Sequence, residues 1–190
     1  MTIVARIALA SFVAICCSCR SERVSPTADS QVTVELGGSI NVISGIYWPT
    51  GNVVETLTIE KPRTITVRFP SGRRWTSYSK ITFLTQKEET VSQVEVAPLK
   101  DATDFAAALT KLQAILDEIG VAADSPARER LKDWQAEPVD HDPFAQKSLA
   151  ADVEEGVEML AEIKPTSEED KWFLLCTFYA KRLFETPPLD

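Results

Sequence analysis

Apolar and polar positions alternate along the first half of the chain. The alternation is plain in Gln31-Val-Thr-Val-Glu-Leu36, Thr56-Leu-Thr-Ile-Glu60, Thr64-Ile-Thr-Val-Arg-Phe69, Lys80-Ile-Thr-Phe-Leu84 and Thr90-Val-Ser-Gln-Val-Glu-Val96. A period of two built from β-branched residues predicts strands with one buried and one wetted face. Turn residues separate the stretches at Gly37-Gly38, Pro49 to Asn52, Lys61-Pro62, Pro70-Ser-Gly72 and Lys87-Glu-Glu89. None of these connections is long enough for a parallel crossover, so the spacing predicts an antiparallel β-meander of about five strands over 31–98.

After Pro98 the apolar spacing lengthens to three and four. Asp101 can cap a helix that carries Phe105, Leu109, Leu112, Leu116 and Ile119 on one stripe and stops at Gly120. Ser125-Pro126 marks a second helix to about Gln135, with Leu131 and Trp134 on its apolar side. Asp142-Pro143 opens a third, with Leu149, Val153, Val157, Leu160 and Ile163. Ser167, three residues before Asp170, opens a fourth that ends near Phe184. Strands followed by helices predict an α+β fold in which some of about four helices, over 99–185, pack on the sheet as one folded unit with it. The tail at 186–190, with Pro187 and Pro188, cannot extend the last helix.

The N-terminus has a different logic. Arg6 precedes an uncharged apolar run from Ile7 to Ile15, too short to cross a bilayer as a helix, and Cys16-Cys17-Ser18-Cys19 follows. The small residues and cysteine at its end resemble a bacterial lipoprotein signal. That resemblance implies cleavage before a cysteine that then carries the lipid. Cys19 fits best because Ser18 supplies the small residue before the cut, although Cys16 stands where such signals usually carry an aliphatic residue. Residues 1–18 are then a signal peptide, and 19–30, polar and with Pro26, a flexible tether. The expected destination is the bacterial cell envelope, with the protein lipid-anchored and facing the periplasm or exterior.

Charge sharpens the division between the halves. The chain has 190 residues with 28 acidic and 20 basic groups, a net charge of -8, and loses only Arg6 of these on cleavage. Residues 20–100 hold ten basic and eight acidic groups, whereas 101–190 hold nine and twenty. The acidity therefore belongs to the C-terminal half. It is densest at Glu154, Glu155, Glu158 and Glu162, which on a helix would include like-charge pairs four residues apart, or would form a docking face for a basic protein partner. Arg73, Arg74 and Trp75 form the one basic and aromatic cluster, either a plain hairpin turn or an edge for an anionic group. An overall acidic, exported chain is not expected to bind nucleic acid.

Chemistry has little to start from. His141 is the only histidine, in a loop beside Asp140 and Asp142, and no serine sits in a G-x-S-x-G elbow. Cys176, among apolar residues, reads as a buried thiol. No zinc ligand set, complete calcium loop or phosphate-binding glycine motif is present, so no metal or cofactor is expected. The sequence points to a non-enzymatic, protein-binding envelope lipoprotein, in its narrower form an immunity or inhibitor protein with an acidic helical face. A small-ligand or lipid carrier and an envelope hydrolase are the alternatives.

Overall fold

The computed structural model describes residues 31–39, 54–59, 62–79, 82–87, 90–136, 146–168 and 170–181. Their elements run β1 (Val32–Glu35), β2 (Val54–Ile59), β3 (Arg63–Arg68), β4 (Arg74–Ser79), β5 (Thr82–Lys87) and β6 (Thr90–Val96). Then come α1 (Phe105–Glu118), α2 (Pro126–Ala136), β7 (Lys147–Glu154), β8 (Val157–Pro165) and β9 (Trp172–Ala180). The expected meander followed by four helices is overturned. The strands lie in two sheets, ordered β1-β3-β4 and β2-β5-β6-β9-β8-β7, and the described residues form two helices rather than four.

The meander fails because β1 and β3 pair in parallel, Val32 opposite Ile65 and Val34 opposite Val67. The chain between them passes through β2 in the other sheet, which supplies the long connection that a parallel pair needs. β3 and β4 then form an antiparallel hairpin, and every pairing in the six-stranded sheet is antiparallel.

The expected third and fourth helices are strands. Leu149, Ala151 and Val153 on β7 are buried, as are Val157, Met159, Ala161 and Ile163 on β8 and Trp172, Leu174, Cys176, Phe178 and Ala180 on β9. On β7 and β8 each set alternates with exposed or half-buried residues, and on β9 the period of two is broken in burial only by Thr177, which is also buried. Glu155-Gly156, with Gly156 at φ +79°, turns β7 into β8. Between β8 and β9, where the sequence suggested a helix start, the Thr166 N–H donates to the Lys171 carbonyl at 2.8 Å and Asp170 stands at φ +58°.

The first helix begins three residues later than expected. Asp104, not Asp101, is its N-cap and accepts the Ala107 N–H at 2.8 Å. Gly120 follows it at φ +69°. α1 packs on β9 and α2 on β7, while Phe178 of β9 meets Phe69 and Trp75 of the small sheet at ring distances of 5.4 and 5.0 Å. Helices and small sheet therefore cover the same face of the six-stranded sheet. One continuous apolar cluster runs from Val32 to Ala180, so the two halves share a single core. One consequence matters for function: the outer face of the small sheet and the uncovered face of the large sheet point away from each other.

Candidate protein-binding face

The residues singled out in the sequence divide between an internal clasp and an exposed surface. The β3–β4 turn enters the clasp because Phe69-Pro-Ser-Gly72 closes on itself, with the Gly72 N–H donating to the Phe69 carbonyl at 2.8 Å. Gly72, at φ +86°, permits that turn. Arg73 then extends its guanidinium to the carbonyls of Ile119, at the end of α1, and of Val153 on β7, the latter at 3.2 Å. Trp75 is buried, and its Nε1–H donates to Glu118 Oε2 at 3.0 Å. Glu154 accepts the Ser71 N–H at 2.9 Å and the Ser71 hydroxyl. A cation at the carbonyl end of a helix and a carboxylate closing on a turn are both favourable placements. Arg73, Trp75 and Glu154 thus join the N-terminal hairpin to the helical segment and to β7.

The other acidic residues lie outside the clasp, with the Glu158 and Glu162 side chains 35% and 16% exposed. Glu155 lies exposed in the β7–β8 turn, and Glu158 and Glu162 lie on the uncovered side of β8. Because a strand places every second residue on one face, that side carries Lys164, Glu162, Leu160 and Glu158 along β8. Along β9 it carries Phe173, Leu175, Thr177 and Tyr179 in register with them: Lys164 opposite Phe173, Glu162 opposite Leu175, Leu160 opposite Thr177 and Glu158 opposite Tyr179. β6 adds Gln93 opposite Tyr179 and Glu95 opposite Thr177, and β7 adds Asp152 opposite Glu158. An aromatic and aliphatic row on β9 is consequently flanked by carboxylates on both sides. Phe173 is 45% exposed, which is unusual for a large apolar side chain on this protein.

The electrostatics of the face are only partly neutralised. Lys181 reaches Asp152 at 2.6 Å and Glu158 at 3.1 Å, and Lys164 reaches Glu162 at 3.0 Å. Gln146 also donates to Glu162. Burial pushes the Glu95 carboxyl above its ordinary range, opposed by Lys164 and by the Thr177 hydroxyl and reinforced by Glu162. Burial, and then the carboxylates Glu162, Glu95 and Glu158, push the Tyr179 hydroxyl upward as well, against the effect of its bond with Thr177. This mutual influence marks the carboxylates and Tyr179 as one electrostatic unit. The acidic face expected on a helix is thus an acidic and apolar face on a sheet. Glu95, Phe173, Leu175 and Tyr179 escaped the sequence reading because only strand pairing brings them beside Glu158 and Glu162.

Arg74 departs from its neighbour Arg73 by pointing outward from β4. Cys176 is fully buried on the covered side of β9, and burial pushes its thiol up to about 12. Cys19 and the signal and tether segments, His141 with Asp140 and Asp142, and the 186–190 tail lie outside the described residues. Among the described residues no group of three or more His, Cys, Asp or Glu side chains could hold a metal ion, and no helix is long and apolar enough to cross a membrane. A cleft of about 280 Å³ lies between α1 and α2. Across it Arg128 pairs with Asp117 at 2.7 Å and Gln135 donates to Gln113 at 3.1 Å, while the buried Arg128 Nε has no hydrogen-bond partner. Comparison with protein-family models, with curated proteins and with solved structures finds no match to this chain.

Proposed function

We propose that this chain is a non-catalytic, lipid-anchored protein of the bacterial envelope that binds a protein partner through the uncovered face of its six-stranded sheet. The supporting observation is the β9 row of Phe173, Leu175 and Tyr179 set between Glu158 and Glu162 on one side and Glu95 on the other. Protein interfaces combine an apolar, aromatic centre with a polar rim, and this face has that arrangement. Its carboxylates favour a partner that presents lysines or arginines around an apolar spot, and the attraction speeds encounter more than it tightens the final complex. An immunity or inhibitor protein that occludes a basic enzyme or toxin is the narrower form of this reading. The anchor rests on the 7–19 segment and would leave the folded part on a tether beside the membrane.

The size of the face suggests the strength of the complex. Four strands spaced about 4.8 Å apart and about 20 Å long give a footprint on the order of 400 Å². Stable complexes bury about 800 Å² per partner, so the interaction belongs to the transient class unless the partner reaches beyond the sheet. The carrier alternative loses support because helices and small sheet fill the other side of the large sheet.

Capture from a bacterial envelope extract on the immobilised full chain tests the proposal. The expected result is a partner held at low salt, released by about 0.5 M salt, and lost with Phe173→Ser or with Glu158→Lys combined with Glu162→Lys. Equal retention by those variants would reject this face as the binding surface.

A further inference from the structure

The outward side of the three-stranded sheet carries a second, differently built surface. Glu35, Arg68 and Arg74 form one row across β1, β3 and β4, because Glu35 is opposite Arg68 and Arg68 is opposite Arg74. The next row is Thr33, Thr66 and Thr76, and Thr64 stands opposite Tyr78 beyond it. The two arginines are direct cross-strand neighbours, with side chains starting about 5 Å apart. Like charges in that position repel, and an anion placed between them would turn repulsion into attraction. Glu35 compensates weakly: its carboxylate is 3.9 Å from Arg68, beyond hydrogen-bond length, and half of its side chain is exposed. Arg74 is exposed.

The rest of the surface selects the kind of anion. Tyr78 is 48% exposed, four residues along β4 from Arg74, which separates them by about 13 Å. Between them lie threonine hydroxyls joined in a short ladder. Thr66 and Thr76 meet at 2.9 Å, and Gln31 donates to Thr66 at 2.7 Å. Thr64 and Thr76 are exposed. Thr66 is itself buried, so the surface offers charge-assisted donors at one end, the hydroxyls of the exposed Thr64 and Thr76 along its length and an aromatic ring at the other end for stacking on a C–H face. Among the described residues it lacks the apolar centre of a protein interface, the four to eight clustered lysines and arginines of a membrane-binding patch, and the succession of aromatic platforms that a nucleic-acid strand requires.

We infer that the Arg68, Arg74 and Tyr78 surface of the small sheet binds an anionic polysaccharide, with a sugar carboxylate between the two guanidinium groups and a neighbouring ring stacked on Tyr78. This surface is separate from the protein-binding face and does not depend on it. The two lie on opposite sides of the molecule, so an anchored chain could hold glycan and partner together.

Calorimetric titration of the full chain with oligogalacturonate, which carries a carboxylate on each sugar, tests the inference, with dextran oligomers as the uncharged control. Oligogalacturonate should bind and dextran should not. Arg74→Gln and Arg68→Gln should each weaken binding about tenfold, the loss expected for one hydrogen bond to a charged group. Tyr78→Ala should weaken it and Tyr78→Phe should restore it, with circular dichroism unchanged because Arg74 and Tyr78 are exposed. Glu158→Lys with Glu162→Lys should leave the titration as it was. The inference fails if the wild-type chain does not bind oligogalacturonate, if dextran binds equally well, if Arg74→Gln binds undiminished, or if an oligo-aspartate peptide or phosphatidylglycerol vesicles bind as tightly as the sugar.

Discussion

Replacing Arg73 with glutamine should loosen the join between the N-terminal hairpin and the rest of the protein. The wild-type guanidinium donates to the carbonyls of Ile119 and Val153, the first at the carbonyl end of α1. A cation near a helix C-terminus contributes about 0.3–1 kcal/mol at an exposed site. A hydrogen bond from a charged group adds about 1.5–3 kcal/mol. Arg73 is itself substantially exposed, so solvent screening brings the expected total to about 2 kcal/mol. In a chain of this size that lowers Tm by about 4–8 °C. Arg73→Lys should recover part of the loss, because an ammonium lacks the fork that reaches two acceptors. Urea unfolding followed by tryptophan fluorescence measures the change, since Trp75 is buried within the same clasp. Arg74→Gln is the internal control: one position along, exposed and facing a like charge, it should stay within about 0.5 kcal/mol of wild type. If Arg73→Gln and Arg74→Gln prove equally mild, the clasp contributes nothing to stability and the reasoning is wrong.

Gly120→Ala should destabilise by about 1–2 kcal/mol, because φ there is +69° and the added Cβ would lie 2.8 Å from Arg73 Nη2; thermal unfolding measures it, and combination with Arg73→Gln should be less than additive. The Cys176 thiol, pushed up to about 12 by burial, should resist a thiol-specific reagent at pH 8 in the folded chain and react once urea unfolds it. Glu95 has a folded pKa above its ordinary 4.5 because of burial, so its contribution favours folding below pH 4.5 and is lost as pH rises through the folded value. Glu95→Gln should therefore raise stability at pH 7 and leave it unchanged below about pH 4, as denaturant titrations at the two pH values would reveal.

Apart from β4, the strands of the N-terminal half were legible because apolar and polar residues alternate from Thr64 to Phe69 and, with a break at Ser92-Gln93, from Thr90 to Val96. How they pair was not, since nothing local says that β2 leaves for a second sheet between β1 and β3. The error over 147–180 has a specific cause. Leu149, Val153 and Val157 are four residues apart, a spacing that suits a helix stripe and also every second inward position of a strand. Ala151 and Ala161 complete the strand pattern but read as neutral helix formers, and the abundant glutamates lean the same way. Burial against α1, α2 and the neighbouring strands overrode that propensity. Gly156, in the middle of the supposed third helix, was the available sign of a turn.

The site was legible in its charges and illegible in its geometry. Glu158 and Glu162 do face outward, on a sheet where a helix was expected, yet Glu154 turns in to bind Ser71. Arg73 and Arg74 are indistinguishable by composition, and the strand's period of two sends one to the α1 terminus and the other outward. The aromatic row on β9 needed cross-strand register before it could be read beside the carboxylates, and register is a property of the folded sheet.

Carboxylate footprinting of the full chain, alone and with its captured partner, tests the proposed binding face most directly. Carbodiimide labelling followed by peptide mass spectrometry should find Glu158 and Glu162 reactive in the free chain and protected in the complex, with Glu35 and Asp124 unchanged. Undiminished labelling of Glu158 and Glu162, with protection falling instead on the α2 carboxylates Glu129 and Asp133, would contradict the account.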